Sequence, residues 1–187
     1  MSSSRASILA LGSAAAAALA ALAWASFAKP LPRLVYNPSD SVPVGWYRVD
    51  PIMQQPPSAN TPKPAPLRVG SILLVRLPAQ AAALAAQRGY LPPHVPLLKR
   101  VGAVAPQRVC IIGQALRIDG NTVATTLRAD RLGRPLHSWP QCSRLRAGEV
   151  FLLSTTNPAS FDSRYFGPVR ITDVIGTAYP LWLEAQP

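Results

Sequence analysis

The chain opens with 23 positions, residues 6–28, that carry no formal charge and are bounded by Arg5 on one side and Lys29 and Arg33 on the other. At 1.5 Å per residue, about 20 such residues cross a ~30 Å hydrocarbon core as a helix. The run therefore predicts an N-terminal transmembrane helix. Twelve of its residues are Ala, so the drive to insert rests on Ile8, Leu9, Leu11, Leu19, Leu22, Trp24 and Phe27. Ala21-Leu22-Ala23 and Ala23-Trp24-Ala25 also offer the small-residue pattern of a cleaved signal peptide. An uncleaved anchor, domain 1–29, is the expectation, and either reading exports residues 30–187.

Beyond this segment the pattern shortens. Residues 35–49 read as a loop entering a strand, punctuated by Pro38, Pro43 and Gly45. Residues 51–66 hold six prolines among Gln, Ser, Asn and Thr, which predicts an exposed, extended insertion. The run Leu67–Leu77 is apolar and rich in Ile, Leu and Val, so it predicts a buried strand. Ala79–Arg88 is Ala-rich and stops before Gly89, as a short helix does. Four strand-like runs follow at Leu97–Val104, Arg108–Ile112, Ala115–Ile118 and Thr122–Thr125, with Asp119-Gly120 as a hairpin turn. Two more lie at Val150–Ser154 and Val169–Ala178. Short strands with turn signals and one helix predict a mainly β exported domain, 30–187, containing the insertion 51–66.

Composition sharpens this picture at a few points. Of the 187 residues, 21 are proline, which argues against a helical bundle. The net charge of +11 favours an anionic neighbour, nucleic acid or phospholipid head groups, without choosing between them. A membrane-tethered basic binding protein is thus the non-enzymatic alternative. The two histidines, His94 and His137, fall in proline-flanked loops, and neither Cys-x-x-Cys nor His-x-x-x-His spacing occurs, so no metal or cofactor is expected.

Three lysines stand against sixteen arginines, and Lys99 lies inside the apolar strand 97–104. A buried ammonium loses solvation, and lowering its pKa from ~10.4 towards 7 makes it a usable general base. Strand alternation offers the opposite outcome, with Lys99 in solvent and Leu98 inside. For a nucleophile, the segment Asn37-Pro38-Ser39-Asp40-Ser41-Val42-Pro43-Val44-Gly45-Trp46-Tyr47-Arg48 supplies Ser39 and Ser41, although these residue types also build ordinary turns.

That segment resembles the Ser box of the type I signal peptidase clan, in the S-x-P-x-G-x-Y form of the conjugative-transfer peptidases called TraF. Residues 67–73 resemble the clan's next box and residues 97–104 its Lys box. Ser160-Phe161-Asp162-Ser163-Arg164-Tyr165-Phe166-Gly167 is similar to its S-x-D-S-R-Y-x-G signature. The four boxes keep the clan's order. Compared with bacterial leader peptidases, this chain has one residue fewer between the Ser and the Pro, Val42 in place of Met, and Ala-Pro-Gln at 105–107 in place of Pro-Gly-Asp.

The resemblance implies a signal-peptidase-like antiparallel β domain on the periplasmic side of the bacterial inner membrane. It implies Ser41 as nucleophile and Lys99 as general base, with Ser39 and the Ser41 main-chain N–H as oxyanion donors. Ser160 would orient the amine, and Asp162 and Arg164 would form a supporting charge pair. The implied partners are a pilin precursor, cleaved or circularised, and inner-membrane lipid, with no nucleic acid required. General signal peptidase I activity is the alternative within the clan. Export places Cys110 and Cys142 in an oxidising compartment, so a disulfide between them is expected.

Overall fold

The computed structural model describes residues 12–20, 34–52 and 67–185. Most of the expected membrane run and residues 53–66 of the expected insertion lie outside the described residues. The chain divides into two units, Met1–Pro32 and Arg33–Pro187. In the first, residues 12–20 are helical (α1). Among the described residues, no helix is long and apolar enough to cross a membrane.

The second unit is built from two antiparallel sheets. The larger has seven strands in the order β1 (Leu34–Asn37), β2 (Gly45–Pro51), β11 (Val174–Leu183), β3 (Ile72–Val75), β4 (Leu97–Val104), β9 (Glu149–Leu152) and β10 (Val169–Arg170). The smaller has the order β7 (Asn121–Thr125), β6 (Ala115–Ile118), β5 (Arg108–Ile112) and β8 (Cys142–Arg144). Helix α2 (Ala79–Gln87) links β3 to β4, and a single turn, α3 (Ser163–Phe166), follows β9.

β3 explains its own apolar run. Ile72 and Leu74 join one core cluster with Val42, Tyr47, Val49 and Leu98, while Leu73 and Val75 join another with Val101, Val150 and Leu152. A strand covered on both faces carries no polar alternation. A third cluster ties the sheets together: Ala103 and Phe151 of the large sheet pack with Val109, Leu116 and Ile118 of the small one, and Trp139 and Leu145 complete it. The Asp119-Gly120 turn joins β6 to β7, as expected.

Several boundaries differ from the expectations. The strand expected over 67–77 shrinks to Ile72–Val75, because Gly70 adopts φ 91° and the Ser71 N–H closes a turn onto the Arg68 carbonyl. Pro51 does not begin the insertion; it ends β2, opposite Gly176 of β11. The expected strand 169–178 is split by a 3-10 turn, Ile171–Asp173, and its second part continues to Leu183. Pro180 sits at a register shift in β11, beyond the last β3 partner at Ala178, where a missing N–H is tolerated. In the exported domain the one expected helix is joined by α3 and that 3-10 turn, while α1 lies within the run 6–28 expected to be helical.

Cys110 and Cys142 face each other across β5 and β8 and are disulfide-bonded, 32 residues apart. A closed loop of that size corresponds to roughly 3–4 kcal/mol in the chain-entropy picture. Cys110→Ser is therefore expected to lower unfolding free energy in urea by about that amount. A loss below about 1 kcal/mol would mean that the sheet holds β8 without the bridge.

Candidate active site

Ser41 lies in the loop between β1 and β2, and that loop is held from beneath. Asn37, 5% exposed, donates through Nδ2 to the carbonyls of Ser39 (2.6 Å), Val42 (3.0 Å) and Pro43 (3.1 Å). The Tyr47 hydroxyl donates to the Pro43 carbonyl at 2.6 Å, and the Glu184 N–H donates to the Val44 carbonyl at 2.9 Å. Val42 is a fully buried core residue and anchors the tip. Gly45 ends the loop at φ 143°, and a Cβ there would stand 2.2 Å from the Trp182 carbonyl oxygen. No other residue fits where β11 crosses so closely.

Lys99 is 3% exposed, so it does not point into solvent as plain strand alternation would allow: both faces of β4 are covered, and Leu98 and Lys99 are both buried. Lys99 Nζ donates to Ser160 Oγ at 2.5 Å, and Ser160 Oγ donates to Ser41 Oγ at 3.3 Å. The three side chains, far apart in sequence, form one buried chain of polar atoms. Burial lowers the Lys99 pKa from 10.5 to about 8, against a smaller upward pull from Asp162 and a further downward push from Arg164. The amine can thus be neutral near physiological pH, as a general base must be.

Asp162 and Arg164 are a fully buried pair, not a solvated surface couple. Their side chains are 0% and 1% exposed, with Arg164 Nε 2.8 Å from Asp162 Oδ1. The guanidinium also donates to the carbonyls of Thr125 (2.7 Å), Pro158 (3.0 Å) and Ser160 (3.1 Å). Arg164 therefore holds the main chain that carries Ser160. Next to it, Phe161 packs on Tyr90 (5.4 Å), whose hydroxyl donates to Asp130 at 2.5 Å.

Ser39 is exposed, and its hydroxyl donates to Asn37 Oδ1 at 2.9 Å. In this arrangement its proton is turned towards Asn37. His94 and His137 are exposed in loops. Sequence reasoning overlooked Ser154, which is 3% exposed and donates to the Ser41 carbonyl at 2.9 Å. Its neighbours Thr156 and Asn157 both reach Asp40. A polar residue placed at the inner end of the apolar run 150–153 was the available signal.

A buried serine–lysine arrangement on an antiparallel β scaffold is one that peptidases use. The family described as signal peptidase, peptidase S26, matches residues 6–182, and the chain belongs to that family. Within it, the chain is similar to the plasmid transfer protein TraF of Escherichia coli, 30% identical over 184 residues and covering 92% of this chain and 93% of the relative. It is also similar to the probable conjugal transfer protein TraF of Sinorhizobium fredii (strain NBRC 101917 / NGR234), 32% identical over 151 residues, 76% of this chain and 73% of that one. Among solved structures, a signal peptidase I from Enterococcus faecalis V583 aligns with a TM-score of 0.37 at 17% identity, covering 60% of this chain and 96% of the other.

Proposed function

We propose that this chain is a membrane-associated serine endopeptidase that matures the pilin precursor of a conjugative type IV secretion system, with Ser41 as nucleophile and Lys99 as general base. The observation that carries this reading is the buried Lys99–Ser160–Ser41 chain. For the reaction the two hydroxyls turn, so that Ser41 donates to Ser160 and Ser160 to the lone pair of neutral Lys99, and the amine takes a proton through Ser160 as Ser41 Oγ attacks a peptide carbonyl. The Ser41 main-chain N–H, joined by the Ser39 hydroxyl once it rotates away from Asn37, supports the oxyanion. The C–N bond then breaks, the leaving amine takes the proton from Lys99, and an ester to Ser41 remains. Water resolves that ester to a linear product. Attack by the substrate's own amino terminus resolves it to a cyclic product, lighter by one water. The TraF relatives favour a conjugation substrate over general signal-peptide removal. Incubating the full chain in detergent with a pilin precursor and weighing the products tests the reading; an uncut precursor would overturn it.

The proposed location is the bacterial inner membrane, with the catalytic unit on the periplasmic side. The uncharged run 6–28 supports this, and so does one face of β1, β2 and β11. Cross-strand register places Tyr36 opposite Trp46, Trp46 opposite Trp182, and Arg48 opposite Tyr179 on that face. Trp46 is 45% exposed and Trp182 74%. Exposed Trp and Tyr beside an Arg have the composition of a membrane–water interface. Recovery of a soluble periplasmic product beginning near Ala25 or Ser26 would support the cleaved signal peptide instead.

The pH dependence has a definite sign. Because the neutral amine is the active form, kcat/KM is expected to rise about tenfold per pH unit below about 8 and to level off above it. Rates measured from pH 6 to 9.5 check this. A profile that falls through that range would contradict a lysine base.

A further inference from the structure

We infer that Ser154 and Thr156 are positioning residues that fix the nucleophile's backbone, through the peptide planes on either side of Ser41. The inference rests on Ser41 being the nucleophile. Ser154 Oγ donates to the Ser41 carbonyl at 2.9 Å, and Thr156 Oγ1 donates to the Asp40 carbonyl at 2.6 Å. Each hydroxyl has one proton, and each proton is spent on one of these two carbonyls. The 3.4 Å contact between the two hydroxyls is then a contact and not a third hydrogen bond.

A peptide unit is planar, so holding its carbonyl oxygen orients the whole plane. The Asp40 carbonyl shares its plane with the Ser41 N–H, and the Ser41 carbonyl defines the next plane. Fixing both planes fixes the φ and ψ of Ser41. Those two angles set the direction of its Cα–Cβ bond, from which the contact with Ser160 selects the rotamer of Oγ, and the direction of its N–H, which is the proposed oxyanion donor. Nucleophile and oxyanion donor are thus aligned by the same two hydroxyls.

These hydroxyls belong to the frame that carries the base's partner. Ser154 Oγ accepts the Asn157 N–H at 3.1 Å, and Asn157 Nδ2 donates to Asp40 Oδ1 at 2.5 Å. The Ser154 N–H donates to Asp162 Oδ2 at 3.0 Å, and Asp162 pairs with Arg164, which holds the Ser160 carbonyl. Ser41 and Ser160 come from distant parts of the chain, yet both are referenced to the Asp162–Arg164 pair. Misplacing a reacting group by about 1 Å costs on the order of 10²-fold in rate.

The test uses the full chain in detergent and a fluorogenic peptide that spans the site at which the full chain cuts a pilin precursor. Thr156 is exposed, so its variants should not threaten folding. Thr156→Val keeps the shape and removes the hydroxyl; Thr156→Ser keeps the hydroxyl. Thr156→Val and Ser154→Ala are each expected to lower kcat about 10- to 100-fold with KM within twofold. Thr156→Ser should recover kcat to within about threefold, and the Ser154→Ala/Thr156→Val double variant should lose less than the product of the single losses. Wild-type kcat in Thr156→Val, equal losses in Thr156→Val and Thr156→Ser, or a change confined to KM would each overturn the inference. Ser41→Ala in the same assay separates the two levels. If it still cleaves, Ser41 is not the nucleophile and the assignment on which the inference rests fails; if it is inactive while Thr156→Val and Ser154→Ala match wild type, the positioning role alone fails.

Discussion

Ser41→Ala and Lys99→Arg are each expected to abolish cleavage of a pilin precursor, a loss on the order of 10⁴- to 10⁶-fold, as when one member of a catalytic unit is removed. Alanine removes the attacking oxygen. Arginine keeps the charge but cannot release a proton at working pH, so a chain that merely needs a cation beside Ser160 would tolerate it and a general-base mechanism would not. The buried amine also leaves a mark on stability. Its folded pKa of about 8 lies below its ordinary 10.5, so between these values the unfolded chain binds more protons and stability rises with pH. Below pH 8 the full penalty, about 3 kcal/mol, is present. Lys99→Met is thus expected to be inactive yet more stable than wild type at pH 7, with the advantage shrinking towards pH 10.5. Urea unfolding at the two pH values checks it.

Arg164→Met is expected to cost about 3–5 kcal/mol of stability, the usual consequence of leaving one member of a buried ion pair without its partner. Arg164 is 1% exposed and binds Asp162 and three main-chain carbonyls, so methionine would strand both the carboxylate and those oxygens. Against a typical 5–15 kcal/mol for a whole domain, this is a large fraction. Circular dichroism during urea unfolding reads it. A loss below about 1 kcal/mol would place the pair with exposed ion pairs, whose contribution is small.

What the sequence disclosed follows from how local each signal was. β4, α2 and the Asp119-Gly120 turn are written in consecutive residues, and they appear where expected. β1 and β8 are four and three residues long with little apolar alternation, so nothing local marked them. The far half of β11 contains Pro180, which reads as a strand breaker until its bulge against β2 is seen. The burial of Lys99 could not be decided from alternation, because that rule assumes one solvated face and both faces of β4 are covered at Leu98 and Lys99. Ser154 and Thr156 stand in a Ser-Thr-Thr-Asn stretch that reads as any polar loop; their roles depend on a nucleophile loop more than a hundred residues earlier in the chain.

The central assignment, Ser41 as the residue that carries the acyl group, is tested most directly by trapping that ester. The full chain is mixed with the pilin precursor, quenched rapidly in acid, digested and examined by mass spectrometry. The expected result is the amino-terminal substrate fragment attached to the segment containing Ser41, absent from Lys99→Arg. Attachment of that fragment to any other residue would contradict it.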